Sequence, residues 1–373
     1  MSETKPRVAI VFGGRSSEHA VSVVTAGSVL GAIDRDKYDV VPVGIATDGR
    51  WVLQQDEPER MAIQGNRLPE VDEKGAEVVL ANDASNGRLV TMDPAQLPEV
   101  IGQVDVVFPL LHGPYGEDGS LQGLLEMAGI RYVGSGVLAS ALGMDKAYAR
   151  TLFAAHDFPI AEGMVITPAE WERDPAAVLR RVSALSFPVF VKPARGGSSI
   201  GISRVTDPSG LAEAISGARA YDPKVLVESA IPDVREVECA VLGGLDGVAA
   251  EASVVGEIRY EPDHDFYDFE AKYLGDSEQG SLQIPADVPE SVSERVRSMA
   301  LRAFETISAE GLARVDFFLT TDGEVVLNEI NTMPGFTPSS MYPRLWAASG
   351  VDYPALVDRL IQLALHRSEG LLR

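Results

Sequence analysis

The chain has 373 residues, of which 45% are hydrophobic, and a formal net charge of -23. This length and composition predict two or three folded domains rather than a disordered chain. The negative charge repels phosphate backbones and anionic lipids, so we expect neither nucleic-acid nor membrane binding. The single cysteine, Cys239, excludes an intramolecular disulfide and fits a reducing compartment. With no signal-peptide core or long apolar run, the sequence predicts a soluble, cytoplasmic protein.

Strands and helices alternate in the first part of the chain. In order, the predicted elements are a strand at 7–12, a helix at 18–33, strands at 40–45 and 104–111, a helix from about 120 and a strand at 130–133. This alternation predicts an α/β domain with a parallel sheet. Ligands of such sheets bind beyond the carboxyl ends of strands, so the loops 13–18 and 112–118 are expected to line one site. The first loop lacks the third glycine of the dinucleotide fingerprint, which disfavours a dehydrogenase.

The middle of the chain contains a glycine-rich segment between two predicted strands. The predicted elements are a helical segment at 137–156, strands at 187–192, 200–205, 225–231 and 237–242, and a helix starting at 207–208. In KPARGGSSIG, Lys192 precedes the glycines, and the continuation alternates like a strand. A P-loop has the opposite order, so we predict a glycine-tipped hairpin that closes as a lid over a polyphosphate. An ordinary flexible turn is the alternative.

Carboxylates follow the next predicted strand. Glu228 ends that strand, and Glu236 and Glu238 come shortly after it. Such a strand end can bind adenine through its backbone and a ribose hydroxyl through a carboxylate, although glutamates of this kind are more often surface residues. Residues 251–283 lack periodicity and predict a long functional loop. Helices are predicted at about 289–310 and at 353–365.

Two strand-like runs near the carboxyl end flank the pair Asp322–Gly323, which predicts a two-residue hairpin turn. Counting back from that turn places Asp316 opposite Glu329. Arg314 then lies opposite Asn331, whose amide supplies a third oxygen. Facing carboxylates destabilise a sheet unless a cation lies between them, and hard oxygen ligands suit magnesium. A solvated hairpin is the alternative, and a three-residue loop would break this pairing.

Six motifs occur in order over nearly the whole chain: FGGRSSEHAVS, HGPYGEDGSLQG, GMDKAYAR, KPARGGSSIG, FYDFEAKY and NEINTMPGFTPSSMYP. Together with the lid, the strand-end glutamate and the acidic hairpin, they resemble the D-alanine:D-alanine ligases of the ATP-grasp superfamily. The resemblance implies a three-domain ATP-grasp fold, α+β overall. Its expected domains are an N-terminal α/β domain at 1–143, a central domain with the lid at 144–243 and a C-terminal domain with the long loop and the acidic hairpin at 244–373. A homodimer is also expected.

The resemblance implies a reaction in two steps. ATP phosphorylates the carboxylate of one D-alanine, and the amine of a second D-alanine attacks the acyl phosphate. The products are D-alanyl-D-alanine for peptidoglycan precursors, ADP and phosphate. Two Mg²⁺ ions, with Mn²⁺ as a substitute, would neutralise the transferring phosphoryl group.

The resemblance also implies roles for residues of these motifs. The catalytic residues would be Glu18, Ser198, Tyr273, Arg314 and Gly335. The D-alanine contacts would be Glu18 and His112 for the first molecule and Ser340 and Met341 for the second. The ATP contacts would be Lys146, Lys192, Ser199, Glu228, Ile231, Glu236 and Lys272, with Glu238 as an alternative to Glu236. The metal ligands would be Asp316, Glu329 and Asn331.

Other functions remain open at this point. A related ATP-grasp ligase would use D-serine or D-lactate as its acceptor, although Tyr273 favours an amine because the D-lactate ligases resemble one another in lacking that tyrosine. A nucleotide-binding regulator would keep the fold without turnover, but the complete set of predicted residues speaks against it. Glu18 has a structural alternative, since a glutamate at a helix N-terminus complements the helix dipole.

Overall fold

The structure is a computed structural model that describes residues 5–63, 65, 67–80, 88–92, 99–197, 199–245, 247–260 and 280–367. Three predicted site residues, Ser198, Lys272 and Tyr273, lie outside the described residues. In the described part of the chain, no helix is both long and apolar enough to cross a membrane.

An eight-stranded sheet occupies the N-terminal part of the chain, in the order β6-β5-β4-β3-β2-β1-β7-β8. Its strands are β1 (Arg7–Gly13), β2 (Asp39–Ile45), β3 (Trp51–Leu53), β4 (Glu77–Leu80), β5 (Arg88–Met92), β6 (Glu99–Gln103), β7 (Val106–Pro109) and β8 (Arg131–Tyr132). The neighbours β2, β1, β7 and β8 are parallel, as the alternation with α1 (His19–Ala32) and α2 (Ser120–Met127) predicted. The sequence did not predict β3 to β6, which extend the sheet as an antiparallel meander.

A four-stranded antiparallel sheet follows, in the order β11-β10-β12-β9. Its elements are β9 (Gly163–Ile166), β10 (Val189–Pro193), β11 (Ser203–Val205) and β12 (Val225–Ser229), with helices α3 (Val137–Met144), α4 (Lys146–Ala155), α5 (Pro168–Arg173), α6 (Pro175–Val182) and α7 (Leu211–Arg219). The predicted glycine-tipped hairpin is confirmed, because β10 and β11 pair on either side of the glycine-rich segment. Asp145 divides the predicted helical segment, since its extended backbone ends α3 and its side chain caps α4.

The third sheet has five antiparallel strands in the order β15-β14-β13-β16-β17. They are β13 (Arg235–Leu242), β14 (Glu251–Tyr260), β15 (Gly280–Gln283), β16 (Leu312–Leu319) and β17 (Val325–Asn331), accompanied by α8 (Glu290–Thr306), α9 (Met341–Ala348) and α10 (Tyr353–Leu365). The loop predicted over 251–283 is therefore wrong at both ends, which form β14 and β15. The domain boundary at 243 stays a prediction. It would separate β13, which ends at Leu242, from β14 and β16, the strands with which β13 is hydrogen-bonded.

In the hairpin of β16 and β17, Asp316 lies opposite Glu329, as predicted. The prediction of a two-residue turn is wrong. Thr320 and Glu324 close the hairpin instead, with Thr320 N donating to Glu324 O at 3.0 Å. The loop between them has three residues, and Gly323 adopts the positive φ of 86° that such loops favour.

A β-bulge preserves the pairing that this longer loop would otherwise shift. Phe317 pairs with Leu327 whereas Asp316 pairs with Glu329, so Asn328 is the extra residue. Because successive side chains of a strand alternate between faces, an unbroken β17 would place Glu329 on the same face as the buried Leu327. The bulge therefore turns Glu329 away from the core and toward Asp316.

One hydrophobic core joins the first sheet to the C-terminal helices. Ile10 and Phe108 of the parallel strands belong to the same buried cluster as Trp346 of α9 and Leu360 of α10. Tyr38 reinforces this contact by donating its hydroxyl hydrogen to Asp358 on α10 at 2.8 Å. The two ends of the chain are thereby packed together.

Candidate active site

A cavity of about 1030 Å³ is lined by strands of the second and third sheets and, from the N-terminal part of the chain, by α1 and the loop after β7. Every predicted site residue that the structure describes lines it, namely Glu18, His112, Lys146, Lys192, Ser199, Glu228, Ile231, Glu236, Arg314, Asp316, Glu329, Asn331, Gly335, Ser340 and Met341. These residues come from segments more than 300 positions apart in the sequence. Their placement on one cavity is a finding, whereas their individual roles stay predictions.

Three carboxylates form a row across neighbouring strands at the base of the cavity. Glu238 on β13 lies opposite Asp316 on β16, which lies opposite Glu329 on β17. Glu238 and Asp316 are buried. Because adjacent like charges repel across a ladder, such a row requires positive charge close by.

Arg314 supplies part of that charge. Its Nε and Nη2 donate to Asp316 Oδ1 and Oδ2 at 2.8 and 2.7 Å, a bidentate arrangement. The same Nε lies 2.8 Å from Glu238 Oε2. Asn331 pairs with Arg314 across the strands and donates its amide to Asp316 Oδ2 at 3.0 Å. The guanidinium is thus held beside the carboxylate row.

Lys146 connects the acidic row to the glycine-rich segment. Its ammonium lies 2.9 Å from Glu329 Oε2 and donates to Gly196 O at 3.0 Å. Burial lowers the pKa of Lys146, but Glu329, Glu228 and Glu117 together raise it by more, so the net shift is upward and the side chain stays charged. Lys146 begins α4, directly after the cap residue Asp145.

A second pair of cations meets Glu228 at the other side of the cavity. Lys192 Nζ lies 2.7 Å from Glu228 Oε2, and Arg150 Nη1 contacts Glu228 Oε1. Lys192 and Glu228 are diagonal neighbours on the paired strands β10 and β12, which explains their contact. A lysine predicted to bind phosphate and a glutamate predicted to bind nucleotide therefore share one ion-paired cluster.

Asp222 anchors the base of the glycine-rich segment. It is 2% exposed and accepts from Arg195 Nε at 2.9 Å and Arg195 Nη2 at 2.7 Å. The backbone N–H groups of Arg195 and Lys224 also donate to it, at 2.9 and 3.0 Å. Burial raises the pKa of Asp222, but these hydrogen bonds lower it below its ordinary value. The tip of the glycine-rich segment lies against Glu18 of the first α/β unit. A side chain at Gly197 would have its Cβ only 3.1 Å from Glu18 Oε2.

The loop after β7 brings Glu117 and His112 beside Glu18. Glu117 accepts from Gly113 N at 2.7 Å, and both Glu117 and His112 hydrogen-bond with the Met333 backbone. Burial lowers the pKa of His112, more than the Glu18 carboxylate and the Met333 contact raise it. Burial together with the Glu18 charge raises the pKa of Glu117 to about 8. The structure thus adds a carboxyl group with a raised pKa to this corner of the cavity.

The start of α9 forms the remaining wall. Ser340 is the N-cap and Met341 the first residue of that helix. Ser340 Oγ accepts from Thr337 N at 3.2 Å, which fixes the preceding turn. Helix N-termini favour anions, so this wall suits the carboxylate predicted to bind there.

The sequence interpretation missed several residues of the site. Glu117 stands within the quoted motif HGPYGEDGSLQG, so the motif itself was the available signal. Arg150 ends the quoted motif GMDKAYAR, so that motif was the available signal for it. Asp222 binds Arg195 of the glycine-rich segment from 27 positions away, and no local pattern marks it. Glu238 was considered for ribose, whereas the structure places it against Arg314.

Comparisons with known proteins agree with this arrangement. The family model described as D-ala D-ala ligase N-terminus matches residues 7–135, and the model described as D-ala D-ala ligase C-terminus matches residues 152–362. A D-alanine--D-alanine ligase of Streptomyces griseus is 56% identical over 98% of this chain and 94% of the relative. One of an Arthrobacter species is 54% identical over 98% of this chain and 96% of the relative.

Solved structures are similar as well. The VanG D-Ala:D-Ser ligase from Enterococcus faecalis superposes with a TM-score of 0.83 at 35% identity, covering 97% of this chain and 100% of that one. The D-alanine-D-alanine ligase from Coxiella burnetii gives a TM-score of 0.80 at 34% identity, covering 97% and 94%. The expected ATP-grasp fold is confirmed by these neighbours. The N-terminal and C-terminal family models match this chain one after the other and together cover most of its length. This chain therefore belongs to the D-alanine–D-alanine ligase family.

Proposed function

We propose that this enzyme joins two D-alanine molecules at the cavity and that Asp316, Glu329 and Asn331 hold Mg²⁺ while it does so. The chain is an ATP-dependent ligase, and its product serves peptidoglycan precursor synthesis, as family membership implies. The observation that carries the proposal is the convergence of the predicted ATP, D-alanine and metal residues on one cavity. A cytoplasmic homodimer is proposed from the family resemblance alone.

The donor set fits magnesium. Two carboxylates face each other across β16 and β17, and the Asn331 amide lies beside them. In the described part of the chain no three His, Cys, Asp or Glu side chains form a metal cluster, so the proposed set depends on the Asn331 oxygen as its third donor. Three oxygen donors would leave the other coordination positions of the ion for water and phosphate oxygens. Magnesium prefers such a mixed set of oxygen ligands. When bound there, Mg²⁺ supplies positive charge that neutralises the transferring phosphoryl group.

In the first step, two lysines of the chain position ATP, and a carboxylate positions the first D-alanine. Lys192 and Lys146, each now paired with a carboxylate, lie where they can exchange that partner for phosphate oxygens. Glu18 receives the ammonium of the first D-alanine, and His112 lies beside Glu18. The glycine-rich segment, whose Gly197 approaches Glu18, covers the reacting groups and excludes water that would hydrolyse the acyl phosphate.

In the second step, the amine of the second D-alanine attacks the acyl phosphate, and phosphate leaves as the peptide bond forms. The tetrahedral intermediate carries negative charge on its oxygen. Arg314 and the Gly335 N–H are the donors proposed to stabilise that charge, since both residues line the cavity. The start of α9 at Ser340 and Met341 receives the carboxylate of the second substrate.

Measuring the dipeptide product tests this function and the choice of acceptor. The enzyme is incubated with ATP, Mg²⁺ and D-alanine, alone or with D-serine or D-lactate, over a range of pH. We expect D-alanyl-D-alanine as the main product in every mixture. A main product containing D-serine or D-lactate would reassign the acceptor, and ATP binding without any dipeptide would indicate a regulator.

A further inference from the structure

Glu238 is a buried carboxylate in contact with a proposed catalytic group. It is 5% exposed, lies directly opposite Asp316 and has its Oε2 2.8 Å from Arg314 Nε. The Nε–H donates to Asp316 Oδ1, also at 2.8 Å. Glu238 therefore acts on Arg314 through its charge more than through a directed hydrogen bond. A buried carboxylate in this position is costly unless a cation neutralises it.

The strand register explains why the contact forms. Ala240 is the residue of β13 opposite Arg314, and Glu238 is the diagonal neighbour two residues away on the same face. The small Ala240 side chain leaves room for the guanidinium to lie along β13 toward Glu238. Arg314 thus sits between two facing carboxylates and lowers their mutual repulsion.

We propose that Glu238 is a positioning residue that keeps Arg314 oriented toward the reacting oxygen when Asp316 binds metal, and that Glu238 does not bind the ribose. The inference rests on the proposed function. In the structure Asp316 accepts two hydrogen bonds from Arg314, of 2.8 and 2.7 Å. A metal ion on Asp316 competes for the same oxygens. Glu238 stands outside the proposed ligand set and keeps its contact with Arg314.

Steady-state kinetics of Glu238→Gln, Glu238→Asp, Arg314→Lys and the double variant Glu238→Gln/Arg314→Lys test this role. Glu238→Gln should lower kcat by up to about 100-fold, the effect of a small misplacement of a catalytic group. Glu238→Asp keeps the charge and should retain more of kcat. In the Arg314→Lys background, Glu238→Gln should change kcat by less than about threefold, because the group that it positions is already gone.

Two further measurements separate positioning from a structural or nucleotide-binding role. Calorimetric affinity for a non-hydrolysable ATP analogue should stay within about twofold of the parent in Glu238→Gln. Glu257→Gln is the matched control. Glu257 is also buried and paired with arginine on this sheet, through Arg235 at 2.6 and 2.7 Å, but it lies outside the cavity. Its replacement should lower thermal stability and leave kcat unchanged.

Several results would overturn the inference. An unchanged kcat in Glu238→Gln would remove its role, and an equal loss with and without Arg314→Lys would show that it acts independently of Arg314. Weaker binding of the ATP analogue at constant kcat would assign Glu238 to the nucleotide. If the parent forms dipeptide, these results count against Glu238 alone. A parent without dipeptide product would overturn the proposed function, and this inference with it.

Discussion

Arg314 is the residue whose replacement best separates chemistry from binding. Arg314→Lys keeps a positive charge but loses the bidentate contact with Asp316. If Arg314 stabilises the oxyanion, kcat should fall by about 100- to 1000-fold while the affinity for ATP changes little. Steady-state rates combined with ATP-analogue calorimetry check this. A similar loss of rate and of nucleotide affinity would point to a structural role instead.

Glu117 gives the enzyme a pH-dependent stability. Its ordinary pKa of 4.5 is raised to about 8 in the folded chain, chiefly by burial. Between these values the folded state binds more protons than the unfolded state, so the contribution of Glu117 to stability falls as pH rises from 5 to 8. In Glu117→Gln that contribution is absent. The free energy of unfolding of the variant, relative to the parent, should therefore increase from pH 5 to pH 8.

Denaturant unfolding of ligand-free protein at several pH values measures this difference. A variant whose stability relative to the parent is constant, or decreases toward pH 8, would contradict the raised pKa of Glu117.

Single residues could be predicted where a motif carries them, and not where contact depends on distant segments. Asp316, Glu329 and Asn331 were predicted to lie together because one hairpin brings them together. Asp222 could not be predicted as the partner of Arg195, since the two lie 27 positions apart with a complete helix between them. Glu238 belongs to the same class, because its contact with Arg314 depends on which strands become neighbours in the sheet.

The glycine-rich hairpin depends on Asp222 at its base. Asp222→Asn removes the charge that holds Arg195, at a cost of about 1 to 3 kcal/mol in stability. A looser base should raise the KM for ATP several-fold with a smaller effect on kcat, because the segment is proposed to cover the bound nucleotide. Kinetics with varied ATP and a thermal unfolding curve test this. Glu213→Gln, on the exposed face of α7, serves as the control. An unchanged KM for ATP in Asp222→Asn would show that the segment needs no such anchor.

The acidic hairpin shows how a correct pairing can follow from an incorrect turn. The sequence predicted two turn residues, and the chain uses three. The extra residue Asn328 in the bulge compensates, so Asp316 still faces Glu329. The sequence around a bulge gives only a weak signal for it. Its position depends on how the two faces of the strand pack, and the sequence of one strand does not reveal that packing. The strands β14 and β15 were missed for a similar reason, because their partners lie elsewhere in the chain.

The two ends of the chain share a core, so damage to the last helix should spread to the first sheet. Leu360 on α10 is fully buried in the cluster that contains Ile10 and Trp346. Leu360→Ala should cost about 2 to 5 kcal/mol. Hydrogen exchange should accelerate in β1 and α9 together and stay slow in β12. The matched variant Leu211→Ala, in the separate core of the second sheet, should affect β10 and β12 instead.

Faster exchange confined to α9 and α10 in Leu360→Ala would contradict a core shared between the two ends of the chain.

The sequence predicted the class of the fold but not how its elements assemble. Alternating strands and helices predicted the parallel strands β2, β1, β7 and β8, while the meander β3 to β6 escaped detection. The hydrogen bond between Tyr38 and Asp358 joins residues 320 positions apart, and no periodicity encodes such a contact. Five of the six motifs contribute residues to the cavity, and the sixth, FYDFEAKY, lies outside the described residues.

The most direct test of magnesium binding at the acidic hairpin is the rate of D-alanyl-D-alanine formation from ATP and D-alanine as Mg²⁺ is titrated. The rate is measured for the parent, for Glu329→Gln and for the control Glu324→Gln. Glu324 is exposed at the turn of the same hairpin. Glu329→Gln should lower the rate by at least about 100-fold at saturating substrates, because charge neutralisation by a bound metal is worth several kcal/mol, while Glu324→Gln matches the parent. A Glu329→Gln enzyme with the parent's rate and Mg²⁺ dependence would contradict magnesium binding at the acidic hairpin.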